Sequence, residues 1–241
     1  MEKEYITKSM VGPKPQARFA GKVIAIDGPA GSGKSTVARR VAWRLGFDYL
    51  DTGALYRAAT WIVLEKKLDL DNPKHVRALL GNWNVRLENT RERLRVFVGD
   101  REITDAIRAE EVNARISDVA SRPQVRESLV LWQKKKIALG SVVLEGRDTT
   151  TVVAPRADVK IYLDADLRTR AERRLLEFAK RGIPTSVAEQ MEKLAARDRQ
   201  DHQRAVGPLA RAPDAITVDT TAMNIEQATD AVLRLCKMRM A

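Results

Sequence analysis

Residues 28–36 read Gly28-Pro29-Ala30-Gly31-Ser32-Gly33-Lys34-Ser35-Thr36, with Gly28, Gly33, Lys34 and Ser35 in the G-x-x-x-x-G-K-[ST] spacing. A loop of this kind wraps the phosphates of a nucleoside triphosphate. Its backbone N–H groups must turn inward, which takes conformations that glycine adopts without steric cost. Lys34 is expected to reach the β- and γ-phosphates, and the Ser35 hydroxyl to complete the coordination of Mg²⁺. Downstream, charged residues recur in groups: Gly146-Arg147-Asp148, then Arg170, Arg173 and Arg174 three or four apart, then Arg197-Asp198-Arg199 through Arg204. Phosphoryl transfer is mainly positioning and charge neutralisation, so convergent arginines are the groups it needs most. A triphosphate loop alone leaves the reaction open.

The elements that must hold these residues are legible around them. Val23-Ile24-Ala25-Ile26 is a short apolar run of the kind a strand buried on both faces shows. Val37, Val41 and Leu45, with Ala38 and Ala42 between, follow at helical spacing until Gly46. A strand, a glycine-rich turn and a helix open an α/β unit, and a chance glycine-rich turn would lack both flanks. Further buried-strand patterns stand at Val142–Leu144, Val159–Leu163 and Ala215–Val218, and a closing helix is expected over about 225–235. Between the first helix and Val142–Leu144, Asn84–Glu88, Leu94–Val98 and Glu102–Thr104 cluster β-formers around Asn89 and Gly99-Asp100, which predicts a small antiparallel insert. Helical sequence from about 109 to 138, interrupted near Pro123, follows it.

Three segments narrow the chemistry. Asp51-Thr52-Gly53-Ala54-Leu55-Tyr56-Arg57 follows a short hydrophobic stretch, Gly146-Arg147-Asp148 ends another, and Arg197-Asp198-Arg199-Gln200-Asp201-His202-Gln203-Arg204-Ala205-Val206-Gly207-Pro208-Leu209 follows a basic helix. In this order, with the β insert between them, the chain resembles the bacterial-type cytidylate kinases, a family of nucleoside monophosphate kinases, from about Lys22 to Cys236. The resemblance implies an α/β fold with a P-loop nucleoside-triphosphate-binding core, a parallel sheet flanked by helices, a small antiparallel-β monophosphate-binding insert and a helical lid. It places a flexible extension at residues 1–21, a single kinase domain at 22–236 with the insert at about 52–126 and the lid at about 168–204, and a tail at 237–241. The implied reaction is in-line transfer of the ATP γ-phosphate to CMP, with dCMP a second substrate and UMP a poorer one. ATP and Mg²⁺ are the implied cofactors, and a monomer in the cytoplasm, with no stable nucleic-acid partner and no membrane, is the implied setting.

Site residues follow from the resemblance position by position. Thr52 and Arg57 match the residues that hold the monophosphate. Ser117, Arg126 and Asp148 match those that read the cytosine. Arg197, Asp201 and Arg204 match residues that meet the ribose hydroxyls and phosphates, and Arg147 would lie beside the transferred phosphoryl group. The chemistry agrees with these matches. Cytosine offers an exocyclic amine to a carboxylate such as Asp148, and its O2 or N3 to an arginine such as Arg126. Uracil turns a carbonyl toward that carboxylate, leaving groups unpaired at about 1–3 kcal/mol each.

The chain also departs from the family. Gly-Arg-Asp is usually followed there by a large apolar residue and a glycine; here it is followed by Thr149-Thr150. A threonine in the glycine position either fills space near the phosphates or resists the backbone angles that glycine allows. Asp27 and Glu145 are both candidates for a second Mg²⁺ ligand. Trp43, Trp61, Trp83 and Trp132 are expected to pack rather than stack on bases, His202 to face solvent, and Cys236 to be inert.

Composition bounds the alternatives. The 241 residues carry 44% hydrophobic and 31% charged side chains, the profile of a globular chain, and no apolar run approaches the roughly 18 residues that span a bilayer. The single cysteine excludes an internal disulfide, and residues 1–16 lack the apolar core of a secretory signal. The net charge of +11 concentrates in residues 1–22, 122–136 and 168–211. Such a charge also suits a nucleic-acid-binding P-loop ATPase, but a polynucleotide binder has no use for the monophosphate set Thr52, Arg57, Ser117, Arg126 and Asp148. A kinase of the same fold acting on another monophosphate differs only in which base it accepts.

Overall fold

The fold is built on a sheet whose two most buried strands are the apolar runs flanking the candidate chemistry. In the computed structural model, which describes residues 19–90, 93–180 and 182–241, the larger sheet holds β1 (Val23–Asp27), β2 (Asp48–Asp51), β6 (Val142–Gly146), β7 (Val159–Asp164) and β8 (Ile216–Asp219), all parallel in the order β2-β6-β1-β7-β8. Central strands of a parallel sheet are covered on both faces, which is why β1 and β6 read as continuous apolar runs. Their register sets Asp27 opposite Gly146, so the loops leaving the two strands start side by side.

Helix α1 (Lys34–Leu45) follows the loop after β1 and ends, as expected, at Gly46, whose left-handed backbone lets its N–H cap the carbonyls of Ala42 and Trp43. The helices α2 (Thr52–Glu65), α3 (Pro73–Gly81), α4 (Glu110–Ser121) and α5 (Pro123–Ile137) lie between β2 and β6 in sequence. The predicted break near Pro123 is real: proline starts α5, where its missing N–H costs nothing. Helices α6 (Leu167–Ala179) and α7 (Val187–Gln203) pair with each other, and α8 (Ile225–Met240) packs on α1, β7 and β8.

The small antiparallel sheet comprises β3 (Val85–Asn89), β4 (Leu94–Val98) and β5 (Arg101–Glu102). The last of these is shorter than the predicted Glu102–Thr104. The contact continues differently: Ile103 N–H donates to Val96 O at 2.8 Å, and the Thr104 hydroxyl takes the Val96 N–H at 3.0 Å in place of a ladder carbonyl. Asn89 ends β3 instead of turning the chain, and its side chain donates to Tyr49 O at 2.7 Å, tying the insert to β2.

Packing reaches further toward both ends of the described residues than the pattern suggested. Residues 1–18 of the expected extension lie outside the described residues, but Phe19 is buried in the main core. The last helix continues through Met240, also buried, so residues 237–240 are helix rather than tail. No glycine or proline follows Leu235 to stop it. Trp83 is buried, and Trp43, Trp61 and Trp132 pack partly buried against the core. Cys236 is fully buried, with its thiol pushed up to about 12 by burial, and His202 is exposed. Among the described residues no helix is long and apolar enough to cross a membrane.

Candidate active site

Gly28 through Thr36 form the turn between β1 and the first residues of α1. A side chain at Gly28 is impossible without rebuilding the loop, because a Cβ would stand 2.0 Å from the Leu163 carbonyl oxygen on β7. The remaining loop is held from the other side by α6. Arg170, buried, donates to the carbonyls of Ala165 (3.0 Å) and Ala30 (3.1 Å) and to Asp198 on α7 (2.7 Å). Arg173 reaches the Thr220 carbonyl at 2.6 Å and its hydroxyl at 3.1 Å, and the Ser32 carbonyl at 3.4 Å. Of the three arginines expected to form one lid face, these two brace the loop. Arg174 instead pairs with Glu177 at 2.8 Å and lies over Phe178. Ala30 also joins a small apolar cluster with Ala171 and Leu194, so the helix pair sits on the loop itself.

Lys34 is buried and donates to the Pro29 carbonyl at 2.9 Å. Burial is the main force pushing its pKa down to about 7, and Arg147 and Arg197 push the same way. Glu145, buried at the end of β6, is pushed up, first by burial and then by Asp51. Its Oε1 accepts from the Ser35 hydroxyl at 2.7 Å. A hydroxyl and a carboxylate joined at the loop are the hard oxygen donors that Mg²⁺ takes. Asp27, the other candidate, is not available: both its oxygens are filled by Thr149 and Thr150.

Three arginines converge on one carboxylate. Asp201, fully buried on α7, accepts from Arg147 Nε at 2.8 Å and from Arg204 Nη2, with Arg197 Nε 3.9 Å away. Burial works against the Asp201 carboxylate, but Arg147, Arg204 and Arg197 outweigh it and hold its pKa below the usual range. Arg197 itself is pushed down to about 9 by burial, then by Arg147 and Arg57. Arg57, on α2, is pushed down to about 10, chiefly by burial. Buried cations that crowd one another are candidates for binding an anionic ligand.

The residues expected to read the base fall into two places. Arg126, on α5, and Asp148, after β6, form a buried ion pair with side chains 3% and 7% exposed. Burial pushes the Asp148 carboxyl up while Arg126 pulls it down. Ser117, on α4, instead donates across to Gln200 on α7 at 3.3 Å, linking the two helices. Thr52 opens α2 and donates to the Glu145 carbonyl at 2.8 Å. Two residues went unnoticed in the sequence. Asn113, on α4, accepts from Arg57, and Gly207 lies so close over the Arg126–Asp148 pair that a Cβ would collide with both. Gly207 was visible only as part of a motif; Asn113 had no signal at all.

The depressed Lys34 has a direct consequence. In the free protein it is largely neutral above about pH 7. A bound triphosphate favours the cation and raises that pKa, so binding takes up a proton between the two values and affinity falls as pH rises through that window. ATP added without Mg²⁺ or monophosphate is expected to bring in a proton near pH 8, where its own phosphates are already ionised and Lys34 is neutral in the free protein. Titration calorimetry in buffers of different ionisation heat reads this, and buffer-independent heats at pH 8 would contradict it.

Comparison with known proteins gives the family. A family model described as cytidylate kinase matches residues 24–238. A cytidylate kinase of Exiguobacterium sibiricum is 44% identical over 214 residues, covering 89% of this chain and 96% of its own. One from Streptococcus pneumoniae serotype 4 is 44% identical over 219 residues, covering 90% and 98%. Among solved structures, an uncharacterized protein from Eubacterium ventriosum shares the fold, with a TM-score of 0.50 at 13% identity, over 90% of this chain and 99% of that one.

Proposed function

The chain belongs to the cytidylate kinase family, and from that premise we propose how its residues transfer the γ-phosphate of ATP to CMP. The observation that carries the proposal is the convergence of Arg147, Arg197 and Arg204 on Asp201, beside a P-loop whose Lys34 is buried and feels Arg147, Arg197 and Asp201, together with the buried Arg126–Asp148 pair. The P-loop backbone and Lys34 hold the β- and γ-phosphates. Thr52 and Arg57 hold the monophosphate. An oxygen of the CMP phosphate attacks the γ-phosphorus in line; the new P–O bond forms as the bond to the β-phosphate oxygen breaks and ADP leaves. No covalent intermediate on the protein is needed. Arg147, Arg197 and Arg204 turn from Asp201 to the phosphates and spread the charge of the transition state. Asp201, relieved of them, accepts from the ribose hydroxyls. Ser35 and Glu145 would hold Mg²⁺, which would supply further positive charge to the phosphates during transfer.

Cytosine takes the place of the contact between Arg126 and Asp148, giving its amine to the carboxylate and accepting from the guanidinium. Ser117 adds a hydroxyl at the insert–lid junction. dCMP keeps every base and phosphate contact and loses one ribose hydroxyl, so it is a second substrate. All these groups come from one chain, so a monomer suffices, and a buried free thiol at Cys236 suits a cytoplasmic setting. Within the basic stretch 168–211, Arg170 and Arg173 engage carbonyls of the P-loop and Thr220, Arg174 engages Glu177 and Arg204 engages Asp201, which supports a role in the kinase site itself.

A substrate panel tests the base assignment. With ATP–Mg²⁺, ADP release is expected to be fastest with CMP or dCMP, and kcat/KM for UMP about tenfold or more lower, with AMP and GMP poorer still. A preference for another base would overturn the roles of Ser117, Arg126 and Asp148 while leaving those of Lys34 and the P-loop.

A further inference from the structure

Asp27 ends β1, immediately before Gly28, and has no exposed surface. Its Oδ1 accepts from the Thr149 N–H at 2.9 Å and hydroxyl at 2.7 Å; its Oδ2 accepts from the Thr150 N–H at 2.7 Å and hydroxyl at 2.6 Å. A carboxylate offers about four lone-pair directions, and all four are filled. Both threonines are buried and open a π-helical turn over Thr149–Val153 that starts one residue after Asp148. An apolar residue and a glycine in these places would leave Asp27 only two backbone donors. The threonine pair doubles the number.

We infer that Asp27, Thr149 and Thr150 form a clamp that sets the spacing between the P-loop and the Arg147–Asp148 loop, making the two threonines positioning residues for phosphoryl transfer. The inference rests on the assignment of Arg147 and Asp148 to the transferred phosphate and the base. All three clamp residues are buried. Two lie next to parts of the proposed site: Asp27 beside the loop that holds the donor phosphates, Thr149 beside the residue that reads the acceptor. The β1–β6 register already brings the loops side by side, but a strand pair leaves the chain beyond its last residue free to swing. Four charge-assisted bonds remove that freedom. A displacement of roughly 1 Å between reacting groups can cost about a hundredfold in rate without changing what is bound.

The test compares a double variant, Thr149→Val with Thr150→Val, against the double variant Thr149→Ser with Thr150→Ser. Valine keeps the shape and removes both hydroxyl donors; serine keeps the donors. The valine pair is expected to lose about tenfold or more in kcat with KM for ATP and for the monophosphate within about twofold. The serine pair is expected to stay within about threefold of the parent in kcat. An unchanged kcat in the valine pair, a serine pair that loses as much, or a loss carried by KM instead of kcat would each overturn the clamp. Should the valine pair fail to fold, the single variants Thr149→Val and Thr150→Val decide, and a folded single variant with unchanged kcat overturns it equally. The kcat is read with whichever monophosphate the parent prefers, so an error in the base assignment shows in the substrate panel and not here.

Discussion

Lys34→Met is expected to lower kcat by about a hundredfold to a thousandfold, the cost of removing one preorganised donor from a developing charge. Methionine has nearly the length of lysine and no charge, so the loss does not come from an empty space. Lys34 is buried and donates to the Pro29 carbonyl, a neutral acceptor that does not offset its desolvation. In the free protein the cation is therefore disfavoured, as its pKa of about 7 shows. The thermal midpoint of the variant is expected to hold or rise, because an apolar side chain belongs in that environment and an ammonium does not. ATP should still bind, since the loop backbone and the start of α1 hold the phosphates. The proton taken up on ATP binding near pH 8 should fall sharply in the variant. Steady-state kinetics, a melting curve and the calorimetric titration together decide the matter; a loss in kcat below about tenfold would remove Lys34 from the chemistry.

Asp148→Asn is expected to lower kcat/KM for CMP by about a hundredfold, with ATP affinity near that of the parent. Arg126 and Asp148 are a buried ion pair, and removing one partner of such a pair costs about 3–5 kcal/mol because the other charge stays buried without compensation. Part of that cost will appear as a lower thermal midpoint. The rest falls on the monophosphate, since Arg126 no longer has an anion to orient it. Asparagine also changes what the position offers: its amide can donate to the uracil carbonyl, where the carboxylate could only repel it. The ratio of UMP to CMP turnover should therefore rise even as both fall. Unchanged CMP kinetics would take Asp148 out of base recognition.

The parts of this molecule that could be read from the sequence are those governed by neighbours along the chain. The P-loop is nine contiguous residues, and its flanks declare themselves by short-range pattern: apolar on both faces for β1, helical spacing for α1 up to Gly46. β6 and β7 declare themselves the same way. Where a local rule had a competitor, the reading slipped. β5 stops at Glu102 because the Thr104 side chain takes over a backbone partner, and α8 runs to Met240 because the end of a helix without a breaker is decided by what covers it.

Sequence alone determined that this chain binds a nucleoside triphosphate and, through the order of its motifs, which family it resembles, since motif and backbone geometry are both local. Tertiary structure decided how the charged residues are spent. Arg170 and Arg173 look like lid arginines at their helical spacing, yet they turn to carbonyls of the P-loop and of the segment after β8. Asp27 meets threonines 122 and 123 residues later, and Asp201 gathers arginines from two loops and its own helix. A buried charge must find partners in whatever the fold brings within about 3 Å of it, and no spacing along the chain encodes that choice.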